Sequence, residues 1–313
     1  MYIPILLDTF SVTGPIFILV LIGLVLRRTG FIDDHFVQVS SRLVFSLCLP
    51  VLLFTTISEL ELGKTIDPQL LYFALAASLV TFLLSWISGS LVQPREDRGV
   101  FVQGAFRSNL GVIGLALCAN AYGIEGLAIA SILMAVLTVA YNVQSVFVLS
   151  FYANTQFSWR KVLLDIVRNP LIIAILLATA AALFRVPLPE IFRSSGEYLG
   201  RLALPLALLG TGAGMNLRTL RESGRMTLGV LVLKTILLPG LVALGAIGLG
   251  FSAQTVGILF MLFVSPTASA SFVMVKAMGG NAMLAANLIM VTTVAAMFTA
   301  SLGLFLLRVF GYA

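Results

Sequence analysis

Charge is scarce in this chain of 313 residues. Asp, Glu, Lys and Arg make up 10% of it, against 59% hydrophobic residues. Mean hydropathy is +1.07. A soluble domain does not carry repeated near-uncharged runs of about 20 residues, the length that crosses a ~30 Å hydrocarbon core. Histidine occurs once, as His35 in a loop beside Asp33 and Asp34, where it reads as a solvated side chain. Cysteine occurs twice, as Cys48 and Cys118, each inside an apolar run. No disulfide framework or redox compartment follows from that. One His and two separated Cys do not assemble an ordinary zinc or haem site, and no cofactor is called for. Acidic residues are missing from the middle of every apolar run. Glu125 stands at a run end, and Glu59, Glu61, Glu190 and Glu197 stand in loops or at run ends. A carboxylate proton relay therefore has little support. Sodium held by hydroxyl, amide and carbonyl oxygens stays open, and so does proton coupling. No basic residue precedes the first apolar run, and Arg27-Arg28 follow it, the reverse of a cleavable signal peptide.

Basic residues are plentiful by comparison, with a net charge of +6. They are spread over the loops instead of gathered on one face, so nucleic acid is not an expected partner. The lipid bilayer is.

A repeat runs through the chain. Gly14-Pro15 opens the first apolar segment and Asn169-Pro170 the sixth. Pro50 lies in the second and Pro205 in the seventh, and Gly123 closes the fourth as Gly279 closes the ninth. The offset is 155 to 156 residues throughout. The expected fold is an all-α membrane protein of ten transmembrane helices, built as two inverted five-helix repeats with broken, crossing helices 4 and 9. An odd number of spans per half turns the second half upside down, a build of secondary transporters. The spans are placed at 12–27, 38–57, 70–92, 99–120, 124–152, 169–186, 197–216, 226–249, 254–279 and 281–309. Residues 1–153 form the first repeat, 154–168 a cytoplasmic link with Trp159 at an interface, and 169–313 the second repeat. Asp67-Pro68 and Asn169-Pro170 each set a cap before a first-turn proline.

Orientation follows from Lys and Arg. One set of loops holds 12 of them, among them Arg27, Arg28, Arg95 and Arg98, and the other set holds 5. The first set is expected to be cytoplasmic, which leaves both termini outside.

Two spans are poorly made helices. The fourth reads Phe106-Arg107-Ser108-Asn109-Leu110-Gly111, and the ninth Val264-Ser265-Pro266-Thr267-Ala268. Under the offset, Asn109 to Gly111 stand opposite Ser265 to Thr267. Proline removes a helix donor, and Asn and Gly permit unwinding. Open backbone at membrane depth survives only where it is buried in protein or lines a wet cavity. The expected site is therefore the crossing of the two breaks, with half-helix amino ends supplying partial positive charge. Arg107 lies nine residues beyond Arg98, roughly 13 Å deep by helix rise. A cation there fits an anionic substrate, a carboxylate above all. Lys234 is a second buried cation, nearer the cytoplasmic end. Span five adds Thr138 and Asn142 at mid-span, beside Tyr141, Gln144 and Ser145. Span ten adds Asn287, Thr292, Thr293 and Thr299. The candidate substrate residues are thus Arg107, Ser108, Asn109, Gly111, Thr138, Asn142, Lys234, Ser265, Pro266 and Thr267. Gly210-x-Gly212-x-Gly214 follows no strand, so it is not a nucleotide loop. Gly210 and Gly214, one turn apart, are expected to form a close-packing face.

These residues resemble the auxin efflux carrier family, in its short bacterial form, over essentially the full length. The fourth-span pattern appears as Asn109, Gly111 and Gly114, with Ala116 where the family carries proline. The ninth-span pattern appears as Pro266, Ala268, Ser271, Ala277 and Gly280. The resemblance implies a ten-helix fold similar to that of bile-acid sodium symporters. It implies a scaffold of spans 1, 2, 6 and 7 and a mobile unit of spans 3–5 and 8–10 that shifts like an elevator. It also implies a homodimer through helices 2 and 7, a place in the bacterial inner membrane, and small organic anions as cargo. Family substrates include indole acetate in plants and dicarboxylates such as malonate in bacteria.

Two other readings compete. A ten-span drug or metabolite exporter is also built from five plus five, but it does not call for matched mid-span breaks. A membrane sensor binding a lipid or sterol in the same cavity would need a signalling segment that these residues do not display. An intramembrane enzyme lacks a membrane His, an Asp pair, or a Ser with a base.

Overall fold

The fold is described from a computed structural model, covering residues 2–59, 68–153, 160, 164, 167–215 and 224–313. The capping reading of Asp67 and the interfacial reading of Trp159 lie outside these residues. The link 154–168 does too, apart from residues 160, 164, 167 and 168.

The described residues are helical, with no strand beyond one isolated bridge. In chain order the main segments are α1 (Tyr2–Arg28), α2 (Asp34–Ser58), α3 (Pro68–Gly89), α4 (Arg98–Phe106), α5 (110–122) and α6 (124–153). Then come α7 (Pro170–Leu183), α8 (Glu190–Ala213), α9 (Arg225–Gly248), α10 (Ala253–Val264), α11 (Ala270–Ala277) and α12 (Ala282–Val309). Six helices among the described residues are long and apolar enough to cross a membrane, and α7 and α10 are shorter apolar helices.

Two boundaries differ most from those read in the sequence. Helix α1 starts ten residues earlier than expected and runs straight through Gly14-Pro15. Pro15 has no N–H for the carbonyl one turn back, which is that of Ser11. The Asn120 side-chain amide supplies it instead, donating to Ser11 O at 3.3 Å and also to Val12 O. A helix can carry proline in an apolar setting when a neighbour re-satisfies the freed carbonyl. Helix α8 begins seven residues early, at Glu190, because its first turns are polar: Arg193 pairs with Glu190 at 2.8 Å. Other signals fall where expected. Asn169 caps α7, its Oδ1 accepting from the Leu171 and Ile172 amides, with Pro170 in the first turn. Gly123 and Gly279 both take left-handed backbone, at φ +63° and +74°, and each ends a helical stretch there.

Packing sorts the helices. Helix α1 lies on α8, and α2 on α7 and α8. Helices α3, α4, α9, α10 and α12 pack among themselves and against α5–α6. The expectation for Gly210 and Gly214 needs correcting. Gly212 is the close contact: a Cβ there would overlap the Val20 carbonyl oxygen, and one on Gly23 would overlap that of Leu209. The α1–α8 seam is thus backbone against backbone, which only glycine permits. Gly210 and Gly214 face the cavity described below.

Candidate functional site at the crossing of two broken helices

Helices α4 and α10 are buried on every side past their first residues, with Gln103 the one polar side chain in the buried runs. Gly99 to Phe106 and Val256 to Val264 are buried without exception. A helix with no polar face lies inside the protein, so both end in the interior. Each then gives way to extended backbone. Arg107 takes φ −79°, ψ 108°, and Ser265 takes φ −52°, ψ 138°. The second is the conformation that a following proline imposes.

The two extended stretches satisfy each other. Ser108 and Thr267 form an antiparallel bridge. The Asn109 amide donates to Pro266 O at 2.7 Å, and the Ala268 amide to Arg107 O at 3.2 Å. Side chains repeat the exchange. The Ser108 hydroxyl donates to Phe263 O in the last turn of α10 (3.3 Å), and the Thr267 hydroxyl to Gly104 O in the last turn of α4 (2.7 Å). Each break thus caps the carboxyl end of the other broken helix, whose carbonyls have no further turn to bond. The Thr267 amide goes to Thr292 Oγ1 at 3.1 Å, and Ser265 Oγ donates back to Met261 O at 2.7 Å.

Gly111 does not share in the unwinding. It lies in a π-helical turn, Leu110–Gly114, and the break precedes it at 107–109. Asn109 explains the shift, since its carbonyl accepts the Gly114 amide at 3.0 Å and starts α5 directly. Ala116, where proline would stand, is inside that helix.

A cavity of about 1070 Å³ adjoins the crossing. Arg107, Ser108, Asn109 and Gly111 line one wall, and Thr138 and Asn142 of α6 another. The amino ends of α5 and α11 reach it through Leu110 and Ala270. The opposite wall belongs to α2, α7 and α8, through residues such as Ser41, Leu171 and Thr211. Ser265, Pro266, Thr267 and Lys234 do not line it. They are packed behind the wall, where Lys234 donates to Ser108 Oγ and, at 3.1 Å, to Phe263 O.

Arg107 is 6% exposed. Its Nη1 donates to Ser145 Oγ (2.9 Å) and Tyr141 O (3.4 Å) and touches Met274 Sδ (3.0 Å), while Nη2 donates to Asn142 Oδ1 (2.8 Å). Every one of these partners is neutral. Among the described residues no carboxylate pairs with Arg107, so its positive charge is oriented but not cancelled. The sequence singles out Thr138 and Asn142 on α6 and does not identify Ser145 and Tyr141 as Arg107 partners. Their spacing holds the signal: 138, 141, 142 and 145 share one helix face. Met274 gives no such signal, because methionine in an apolar helix looks like packing. Of the span-ten candidates, Thr293 lines the cavity and Thr292 serves the crossing.

A family model described as a membrane transport protein matches the chain twice, over residues 12–157 and 154–304. That family includes the auxin efflux carriers and is not a family of enzymes. No curated protein matches the chain.

Proposed function

The chain belongs to this family of membrane transport proteins and is a multi-pass membrane protein; from that premise we propose that it is a secondary carrier of small organic anions, with the carboxylate held at Arg107. The observation that carries this reading is the unneutralised guanidinium on the wall of a cavity that the amino ends of two half-helices also reach. A buried cation without a counter-ion is costly, and an incoming carboxylate would relieve that cost. Two half-helix amino ends add partial positive charge of the same sign. Ser108, Asn109, Thr138 and Asn142 would hydrogen-bond the rest of the anion.

In this reading the helices form ten spans in two inverted repeats, α4–α5 and α10–α11 each being one broken span. The family model matching each half once, and the reciprocal capping at the crossing, support that arrangement. Helices α1, α2, α7 and α8 would be the scaffold. The others would move as an elevator, since the cavity lies between these two groups. Homodimerisation would use α2 and α8, which expose Phe45, Leu47, Phe192 and Leu202.

The cavity reaches Ser41, Asn169, Met215 and Lys276, at helix ends on the side rich in basic loops. With that side cytoplasmic in a bacterial inner membrane, the protein faces inward and both termini lie outside. A reporter fused after Ala313 should therefore read as non-cytoplasmic. A cytoplasmic reading would remove one span from the count.

The substrate class is tested by melting curves of purified protein against a panel of mono- and dicarboxylates and their neutral amides. Specific binding raises the melting temperature by mass action. At least one carboxylate should do so where its amide does not. Equal shifts by acid and amide would rule out a charge-reading site.

A further inference from the structure

Lys234 stands halfway along α9, in a π-helical turn spanning Leu233–Leu237, and is 2% exposed. It is separated from the cavity by the crossing itself, so it does not meet the cargo. Its ammonium contacts both breaks at one point. It donates to the Ser108 hydroxyl oxygen in the first break and, at 3.1 Å, to the Phe263 carbonyl oxygen just before the second. That carbonyl is at the carboxyl end of α10, where helix carbonyls carry partial negative charge. Ser108 Oγ donates to the same carbonyl, so lysine, serine and carbonyl form a closed triangle. The Tyr141 hydroxyl lies buried beside Ser108.

Every oxygen around the ammonium is neutral. The one buried carboxylate among the described residues, Asp97, precedes α4 and accepts from Asn281 at 3.0 Å. A compact cation held by one hydroxyl and one carbonyl oxygen, with no acid, uses the ligand types of an alkali-metal ion. Lysine brings that charge on a flexible stem, as a point charge with three donors.

We infer that the Lys234 ammonium is a tethered monovalent cation, permanently filling an oxygen-lined site that joins the two breaks. The carrier then needs no alkali-metal ion at the crossing. Removing the tether turns the place into a site for a free one. The Ser108 and Phe263 oxygens and the Tyr141 hydroxyl remain, and water enters the space left by the lysine stem to complete the shell.

The test compares melting temperatures in sodium, lithium, potassium and N-methylglucamine chlorides at equal ionic strength. Wild-type protein should melt at the same temperature in all four. Lys234→Ser should melt lower in N-methylglucamine and recover, saturably, in at least one alkali cation. Lys234→Met, which fills the space with an apolar stem, should respond to none of them. An ion-specific rise in the wild-type melting temperature would overturn the inference. So would Lys234→Ser protein that melts alike in every salt, or that yields folded protein in none of them. No substrate enters these measurements, so their failure leaves the anion reading at Arg107 untouched.

Discussion

Arg107→Ala should lose carboxylate binding by about 10- to 150-fold, the loss of one charge-assisted bond of roughly 1.5–3 kcal/mol. The same substitution frees Ser145 Oγ, Asn142 Oδ1 and the Tyr141 carbonyl, so the melting temperature should also fall. The two effects separate on one purified sample. If Arg107 only ties α6 to the crossing, the surviving folded fraction binds carboxylate normally. If it reads the anion, affinity falls even in fully folded protein. Arg107→Lys sharpens the comparison. Lysine keeps the charge but loses the planar fork that meets Ser145 and Asn142 together. It should recover part of the affinity and little of the anchoring. Normal carboxylate affinity in Arg107→Ala would end the proposal of an anion site at Arg107 and leave the half-helix ends and Lys276 on the cavity lining to supply positive potential there.

Transport by Pro266→Ala should fall at least tenfold, with the protein still folded. Proline inside a helix costs about 3 kcal/mol. That cost keeps residues 265–269 out of helix and available to the first break. The bonds gained there are the Asn109 amide to Pro266 O, the Ala268 amide to Arg107 O, and the Thr267 hydroxyl to Gly104 O. Hydrogen bonds of this kind contribute about 1 kcal/mol each, so together they are of the same size as the proline term. Alanine removes the penalty and supplies an N–H for the carbonyl of Leu262, and a continuous helix from α10 into α11 becomes competitive. That helix would strip α4 of its Thr267 cap and move Arg107. Substrate uptake into proteoliposomes measures the effect. Uptake at the wild-type rate would mean that the bridge holds without the proline.

Some of this protein was legible in its residues because the signals are local. Apolar run length and the absence of mid-run acids are enough to mark membrane helices, since hydrocarbon admits little else. Asn169-Pro170 announced a helix start, and Pro266 a break, because a missing donor and a locked φ act within one turn. The repeat offset pointed to a partner break at Asn109–Gly111, two residues beyond the one at 107–109. Misreadings arose where a distant residue overrode the local rule. Pro15 does not open a helix, because Asn120, more than a hundred residues on, bonds the carbonyl it abandons. Gly111 is not unwound, because the Asn109 carbonyl nucleates the next helix first. Gly212, in place of Gly210 and Gly214, is the tight contact, because helix rotation against α1 decides which glycine meets backbone. The division of labour between the two buried cations is the largest such case. In the sequence Arg107 and Lys234 are the same kind of oddity, a charge inside an apolar span. Only the tertiary structure puts one on the cavity wall and the other behind the crossing, because which oxygens surround a side chain depends on helices far apart in the chain.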